Sequence, residues 1–231
     1  MRFDVSFFLN TLLKACGGIP VTLLMTFGAL AIAFPVGLLV AISRANKVPV
    51  LSQIGAFYVS IIRGTPVIIQ IFLIYSVVPN ALHKFVKAHD LSIDVYGINP
   101  VWYAIFVFGF NTATHFSEIF RSALLAVPKG QKEAAYSLGF SRVQTYRKFI
   151  LPQAFVVASP SICTASLNML KNTSLAFMMA VMDITGIAKS SAGLGYRYFE
   201  AYLDIFIIYL VICFIFEKLF KKGIRRFASY D

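Results

Sequence analysis

Pro128-Lys-Gly-Gln-Lys-Glu-Ala-Ala-Tyr-Ser-Leu-Gly-Phe-Ser-Arg-Val-Gln-Thr-Tyr-Arg-Lys-Phe-Ile-Leu-Pro-Gln-Ala154 is the longest polar, basic stretch in an otherwise apolar chain. Its local chemistry predicts two short helices around a sharp corner. Gln131 to Leu138 consists mostly of good helix formers centred on Glu133, Ala134 and Ala135. Gly139 follows where a helix commonly ends on a left-handed residue. Ser141 with Gln144 three residues on has the spacing of a capping box that starts a second helix. Pro152 is expected to close the stretch, because a proline pushes the residue before it out of the helical region. A knob of this kind between apolar segments offers a compact docking surface.

The rest of the chain is built for lipid. Of its 231 residues, 58% are hydrophobic and only 13% charged, and the mean hydropathy is +0.76. A soluble domain carries about a quarter charged residues. The apolar segments are continuous rather than alternating, so they read as helices and not as strands of a barrel. The expected fold is all-α: a polytopic helical bundle, one integral membrane domain over residues 1–231. Its elements are expected as an interfacial amphipathic segment (Phe3 to Leu13), then five spans. These are Ile19 to Ile42, with Pro35 and Gly37 marking a kink or a close helix contact; Phe57 to Val78; Val101 to about Phe120; Gln153 to Met182, interrupted at Lys171; and Ala201 to Phe216. Between them Arg44 to Ser52, Pro79 to Asn99 and Asp183 to Glu200 read as loops, and a basic tail ends the chain. No cleavable signal peptide is expected at Met1 to Asn10.

The formal charge of +11 points to nucleic acid only in a soluble protein. Here it decides orientation, since cytoplasmic loops are rich in Lys and Arg. With five spans and the tail inside, the inner pieces hold thirteen basic residues: Arg44, Lys47, Arg121, Lys129, Lys132, Arg142, Arg147, Lys148, Lys218, Lys221, Lys222, Arg225 and Arg226. The outer pieces hold six: Arg2, Lys14, Lys84, Lys87, Lys189 and Arg197. The N-terminus is therefore expected outside, the C-terminus inside, and the Glu133 stretch in the cytoplasm.

No enzyme motif is present. G-x-S-x-G, H-E-x-x-H, a Walker A loop and paired-cysteine metal spacing are all missing, so no catalytic residue, metal or cofactor is expected in this chain. Gly193-Leu-Gly195 lacks the third glycine of a nucleotide loop. Cys16, Cys163 and Cys213 suggest no disulfide framework. What remains are polar groups at membrane depth, which are costly and usually functional. Glu118 and Arg121 share a helix face and are spaced for an ion pair. Lys171-Asn172-Thr173-Ser174 breaks the fourth span, either as an interhelical hydrogen-bond knot or as a substrate contact. A zwitterion needs both an anionic and a cationic partner, and Glu118 and Lys171 would supply them if they converge.

Glu133-Ala-Ala, Gly139 six residues on and Leu151-Pro152 twelve after the glycine resemble the "EAA" loop of membrane subunits of ABC importers, with Phe149 where an aliphatic residue is expected. The resemblance runs from about Pro20 to Phe220. Arg63-Gly-Thr65-Pro, Gln70 and Tyr75, Asn111-Thr-Ala with Glu118 and Arg121, and Lys171-Asn-Thr-Ser-Leu175 look like the polar amino acid subfamily, of histidine, glutamine, arginine or cystine type. His115-Phe-Ser is bulkier than that pattern. The resemblance implies a type I importer permease in the bacterial cytoplasmic membrane, paired with a second permease subunit, identical or paralogous. It also implies a cytoplasmic ATPase dimer that holds ATP and Mg, and an extracytoplasmic binding protein that delivers the amino acid. It implies an ATPase-coupling loop carried by Glu133, Ala134, Ala135, Gly139, Tyr146, Leu151 and Pro152. Substrate contacts would fall to Arg63, Thr65, Gln70, Asn111, Glu118, Lys171, Asn172, Thr173 and Ser174. The alternative from residues alone is a passive channel or secondary carrier for small polar solutes, which gives no reason for the capped knob.

Overall fold

The computed structural model describes residues 3–193 and 195–228, with side chains to residue 224. Arg2, Leu194 and the side chains of Arg225 and Arg226 thus lie outside what is described. No strand occurs among the described residues. Helix α1 spans Val5–Cys16, α2 Ile19–Ala45, α3 Leu51–Gly64, α4 Val67–Ala88 and α5 Pro100–Ala126. Helices α6 (Lys129–Ser137) and α7 (Arg142–Thr145) form the polar knob. A π turn at Tyr146–Ile150 leads into α8 (Leu151–Asn172), which passes into a 3₁₀ turn at Thr173–Met179. Helices α9 (Ile184–Gly193) and α10 (Tyr198–Ala228) complete the chain.

Among the described residues four stretches are long and apolar enough to cross a membrane: α2, α4, Arg142–Met179 and Tyr198–Ile224. Helix α5 has the length, 27 residues, but carries Asn111, Thr112, Thr114, His115, Ser117, Glu118 and Arg121.

Among the boundaries that differ from the sequence expectation, four have a local reason. The expected span Phe57 to Val78 is two helices, α3 and α4, broken at Thr65 and Pro66. Pro66 drives Thr65 before it out of the helical region, and Pro66 itself is extended, φ −61 and ψ 136. Gln70 donates to the Thr65 carbonyl at 3.2 Å and to its hydroxyl at 2.9 Å, satisfying the break. Helix α4 runs through Pro79 into the expected loop and stops at Ala88. Pro152 does not close the knob. It sits in the first turn of α8, where a missing N–H costs little, and the π turn ahead of it absorbs the change of register. The expected loop from Asp183 contains α9, which Asp183 caps through its carboxylate on Gly186 N–H at 2.8 Å.

The chain divides into two compact units. One comprises Met1–Ala31, Thr65–Gly109 and Asn168–Ile215; the other comprises Ile32–Gly64, Phe110–Leu167 and Phe216–Asp231. In the first, Met25, Ile71, Met169, Leu170, Met179 and Ile184 are fully buried. In the second, Phe34, Phe116, Phe120 and Phe155 pack edge to face, with Phe34 and Phe120 centroids 5.1 Å apart. Along α2, Ala29, Ala33, Gly37 and Ala41 repeat every four residues and are buried. Such a stripe of small residues lets helices approach closely in lipid, where no hydrophobic force draws them together. At Gly37 a Cβ would meet the Cβ of Phe116 at 2.7 Å and the carbonyl of Ala113 at 2.9 Å. The expected close helix contact is here, between α2 and α5. Gly37→Ala is expected to destabilise the protein by about 1–3 kcal/mol through overpacking. Thermal unfolding in detergent checks this; an unchanged midpoint would contradict it.

Candidate functional sites

The knob is built from its own caps outward. Helix α6 ends at Leu138 (φ −84, ψ 6), and Gly139 follows at φ +81. Gly139 N–H donates to Tyr136 O at 2.9 Å and Phe140 N–H to Ala135 O at 3.1 Å. This pair is the Schellman closure of a helix, which requires the left-handed residue. Ser141 then opens α7 with both bonds of a capping box: Gln144 N–H donates to the serine hydroxyl at 3.3 Å, and Ser141 N–H donates to the Gln144 amide oxygen at 2.9 Å.

The inner face holds Ala135, Thr145 and Ile150, all buried. Phe140 stacks edge to face on Phe149 with centroids 5.1 Å apart. Tyr146 also turns inward. Its hydroxyl donates to Asn46 Oδ1 at 2.6 Å, anchoring the knob to the end of α2. The outward face carries Glu133, Ala134, Tyr136, Leu138 and Val143, and Leu138 and Val143 are each 76% exposed. A rigid corner thus presents apolar side chains to solvent. Of the expected coupling residues, Glu133 and Ala134 lie on that face and Gly139 forms its corner. Ala135 and Tyr146 hold the knob to the body, Leu151 is half-buried, and Pro152 is exposed on α8.

Among the expected substrate residues, Glu118 has both carboxylate oxygens engaged. Arg44 Nη1 donates to Oε1 at 2.6 Å, while Arg121 donates to Oε2 from Nη2 at 3.1 Å and from Nε at 3.2 Å. The pair with Arg121 follows from the sequence spacing. The second arginine does not, because Arg44 reads as part of a polar loop but stands in the last turn of α2. Gly55 on α3 leaves room beside it, since a Cβ there would meet Val40 at 3.1 Å and the Arg44 stem at 3.4 Å. Arg63 is exposed at the end of α3, and Asn111 is buried on α5. Arg63, Asn111 and Glu118 belong to one compact unit; Thr65, Gln70 and Lys171 to Ser174 belong to the other.

In that other unit Lys171 is exposed, Asn172 and Ser174 are half-buried and Thr173 is fully buried. The expected break is a change of helix type: α8 gives way to the 3₁₀ turn at Thr173, which ends at left-handed Ala180 (φ 58). Buried groups that the sequence reading missed surround it. Thr173 hydroxyl donates to Leu170 O at 2.7 Å and lies 3.1 Å from the Tyr209 hydroxyl. Tyr209 in turn reaches Asp183 Oδ2 at 3.3 Å. Asp183 stands between the apolar stretches that end at Met179 and resume at Tyr198. Burial pushes its carboxyl up to about 6, against the backbone and tyrosine hydrogen bonds that favour the ionised form.

Further along α10, Asp204 is fully buried, and neither carboxylate oxygen has a hydrogen-bond partner. An unsatisfied buried polar group costs about 1–3 kcal/mol. Asp204→Leu is therefore expected to raise stability by about that amount, read as a higher melting midpoint. A lower midpoint would mean that the carboxylate is paired in the working assembly.

Residues 33–227 match the family described as binding-protein-dependent transport system inner membrane component. The chain is 36% identical over 228 residues to the "Probable amino-acid permease protein YxeN" of Bacillus subtilis (strain 168), covering 97% of this chain and 96% of that one. It is 34% identical over 208 residues to the L-cystine transport system permease protein TcyL of the same organism, covering 90% and 84% respectively. Among solved structures it is similar to the crystal structure of an amino acid ABC transporter with histidines. The TM-score there is 0.78 at 28% identity, over 98% of this chain and 100% of that one. The capped knob, the apolar helices and these matches agree: the chain belongs to the binding-protein-dependent transport system inner membrane components, the multi-pass permease subunits of ABC importers.

Proposed function

We propose that this permease subunit imports a polar L-amino acid. An extracytoplasmic binding protein would hand over the substrate, and a cytoplasmic ATPase dimer docked on the outward face of the knob would drive transport with its own ATP and Mg. A second permease subunit, identical or paralogous, would complete the path. The N-terminus lies outside and the C-terminus inside, which puts the knob within reach of the ATPase. The observation that carries the reading is the doubly capped knob with its exposed Tyr136, Leu138 and Val143. A passive channel has no use for such a rigid apolar corner.

Amino acid permeases among the relatives support the substrate class. On this reading the substrate carboxylate is received at the α8 break, by Lys171 with the hydroxyl and backbone donors of Asn172 to Ser174. Arg63, Thr65, Gln70 and Asn111 would contribute polar contacts along the path. Glu118 would meet a cationic group of the substrate only by giving up one of its two arginines. Co-purification of the tagged chain with an ATPase subunit, followed by ATP-dependent uptake in proteoliposomes supplied with the binding protein, tests the assignment. Uptake that proceeds without ATP would refute it.

A further inference from the structure

We propose that Asp183 and Tyr209 are positioning residues for transport, pinning the 3₁₀ turn that follows Lys171 through a chain of hydroxyls that is complete only when Asp183 carries a proton. The inference rests on the reading that the α8 break receives substrate.

The turn needs an external hold. It runs for seven residues, whereas the poorer hydrogen-bond geometry of 3₁₀ structure seldom sustains more than three or four. It ends on Ala180 at φ 58, a left-handed conformation that a residue with a Cβ adopts at a cost. Two ties bind it to its surroundings. One is the chain from Leu170 O through Thr173 and Tyr209 to Asp183, in which Thr173 and Asp183 are fully buried. The other is Lys189 of α9, whose ammonium stands 3.8 Å from the Phe177 ring centroid and 5.4 Å from that of Tyr202.

The far end of the chain is fixed by backbone packing. A Cβ on Gly18 would meet the Asp183 carbonyl carbon and Ile184 N at 2.4 Å, and a Cβ on Gly186 would meet Val181 O at 2.3 Å. Asp183 therefore cannot retreat, and Tyr209 is held against it.

Counting hydrogens gives the chain two states. Three oxygen–oxygen contacts link Leu170, Thr173, Tyr209 and Asp183, at 2.7, 3.1 and 3.3 Å. The Thr173 and Tyr209 hydroxyls supply two hydrogens; the buried Thr22 and Thr185 hydroxyls beside Tyr209 make no hydrogen bond and supply none. With Asp183 ionised, Tyr209 donates to it, and Thr173 has one hydrogen for two acceptors. With Asp183 protonated, the acid donates to Tyr209, Tyr209 to Thr173 and Thr173 to Leu170, so every contact has its hydrogen. The groups facing Asp183 are Tyr209 from α10, the N–H groups of Gly186 and Thr185 from α9, and the Gly18 backbone from the α1–α2 corner. Among the described residues no ion pair reaches it.

The test uses the assembled complex, combining hydrogen–deuterium exchange of residues 173–180 with uptake of radiolabelled L-arginine, L-histidine, L-glutamine and L-cystine. Tyr209→Phe should accelerate exchange of the turn about tenfold, the size expected for one lost hydrogen bond. It should also raise the KM for uptake about fivefold or more. Exchange in the wild type, corrected for its intrinsic rate, should be slower at pH 5 than at pH 7.5. In Asp183→Asn, whose amide donates permanently, that difference should vanish. Should Tyr209→Phe fail to assemble, Thr173→Ser should keep the slow exchange of the turn and Thr173→Val should show the fast exchange. Unchanged exchange in Tyr209→Phe, or equal exchange in the two Thr173 variants, overturns the pin and leaves the substrate reading standing. Faster exchange with unaltered KM overturns the positioning role and, with it, the substrate reading at this break. A pH difference that persists in Asp183→Asn overturns the proton dependence.

Discussion

Gly139→Val is expected to cut ATP-driven uptake more than tenfold while the protein still inserts into the membrane, the excess over strain alone arising because a displaced corner docks poorly. The residue stands at φ +81, and nothing lies within 4 Å of where a Cβ would be. The penalty is therefore purely conformational. A β-branched side chain in the left-handed region costs about 1–2 kcal/mol or more. The chain can escape that cost only by rotating the corner. Rotation breaks the bonds from Gly139 N–H to Tyr136 O and from Phe140 N–H to Ala135 O. It also swings Leu138 and Val143, the most exposed apolar side chains of the knob, away from each other. The knob should stay attached to the body, because its anchor there, Tyr146 to Asn46, lies on its other face.

The control follows from the same geometry. Asparagine tolerates the left-handed region, so Gly139→Asn should keep most of the uptake. ATPase activity stimulated by the binding protein, set against uptake in the same proteoliposomes, measures the coupling. Equal uptake by the valine variant and the wild type would refute the docking role of this corner.

The knob was legible because its signals are local. Gly139 and the Ser141 and Gln144 pair act within four residues of themselves, so the sequence names both the corner and the second cap. Pro152 misled because its usual effect was met one turn earlier by the π turn at Tyr146–Ile150, a device with no marker in the sequence. The break at Thr65 and Pro66 hid inside a continuous apolar run, where hydropathy sees one span and only the proline argues for two. The partners of buried charge were the least legible. Arg121 is three residues from Glu118, but Arg44 is 74 away. Tyr209 lies 26 residues from Asp183 and 36 from Thr173. Such pairs exist only once α2 packs on α5 and α10 on the α8 break, and no spacing rule announces them.

Glu118→Gln is the variant with the second large expected effect, and the structure favours damage to assembly over a selective loss of substrate. The carboxylate is shared by two guanidinium groups whose side chains are 16% and 36% exposed. Neutralising it leaves two partly buried cations facing one another with one anion fewer. Hydrogen bonds to charged groups are worth about 1.5–3 kcal/mol, and screening at the more exposed Arg121 lowers its share. A loss of roughly 2–3 kcal/mol is expected, dominated by Arg44. The yield of assembled complex should fall accordingly.

Removing one cation as well should recover part of that loss, because the residues share one network and their effects are not additive. Glu118→Gln combined with Arg44→Gln should recover more than Glu118→Gln combined with Arg121→Gln, since Arg44 is the more buried partner at the shorter distance. Thermal stability and complex yield for the two double variants rank the contributions. If instead Glu118→Gln assembles as well as wild type and loses only substrate-dependent stimulation of the ATPase, the carboxylate leaves its arginines during transport and meets the substrate directly.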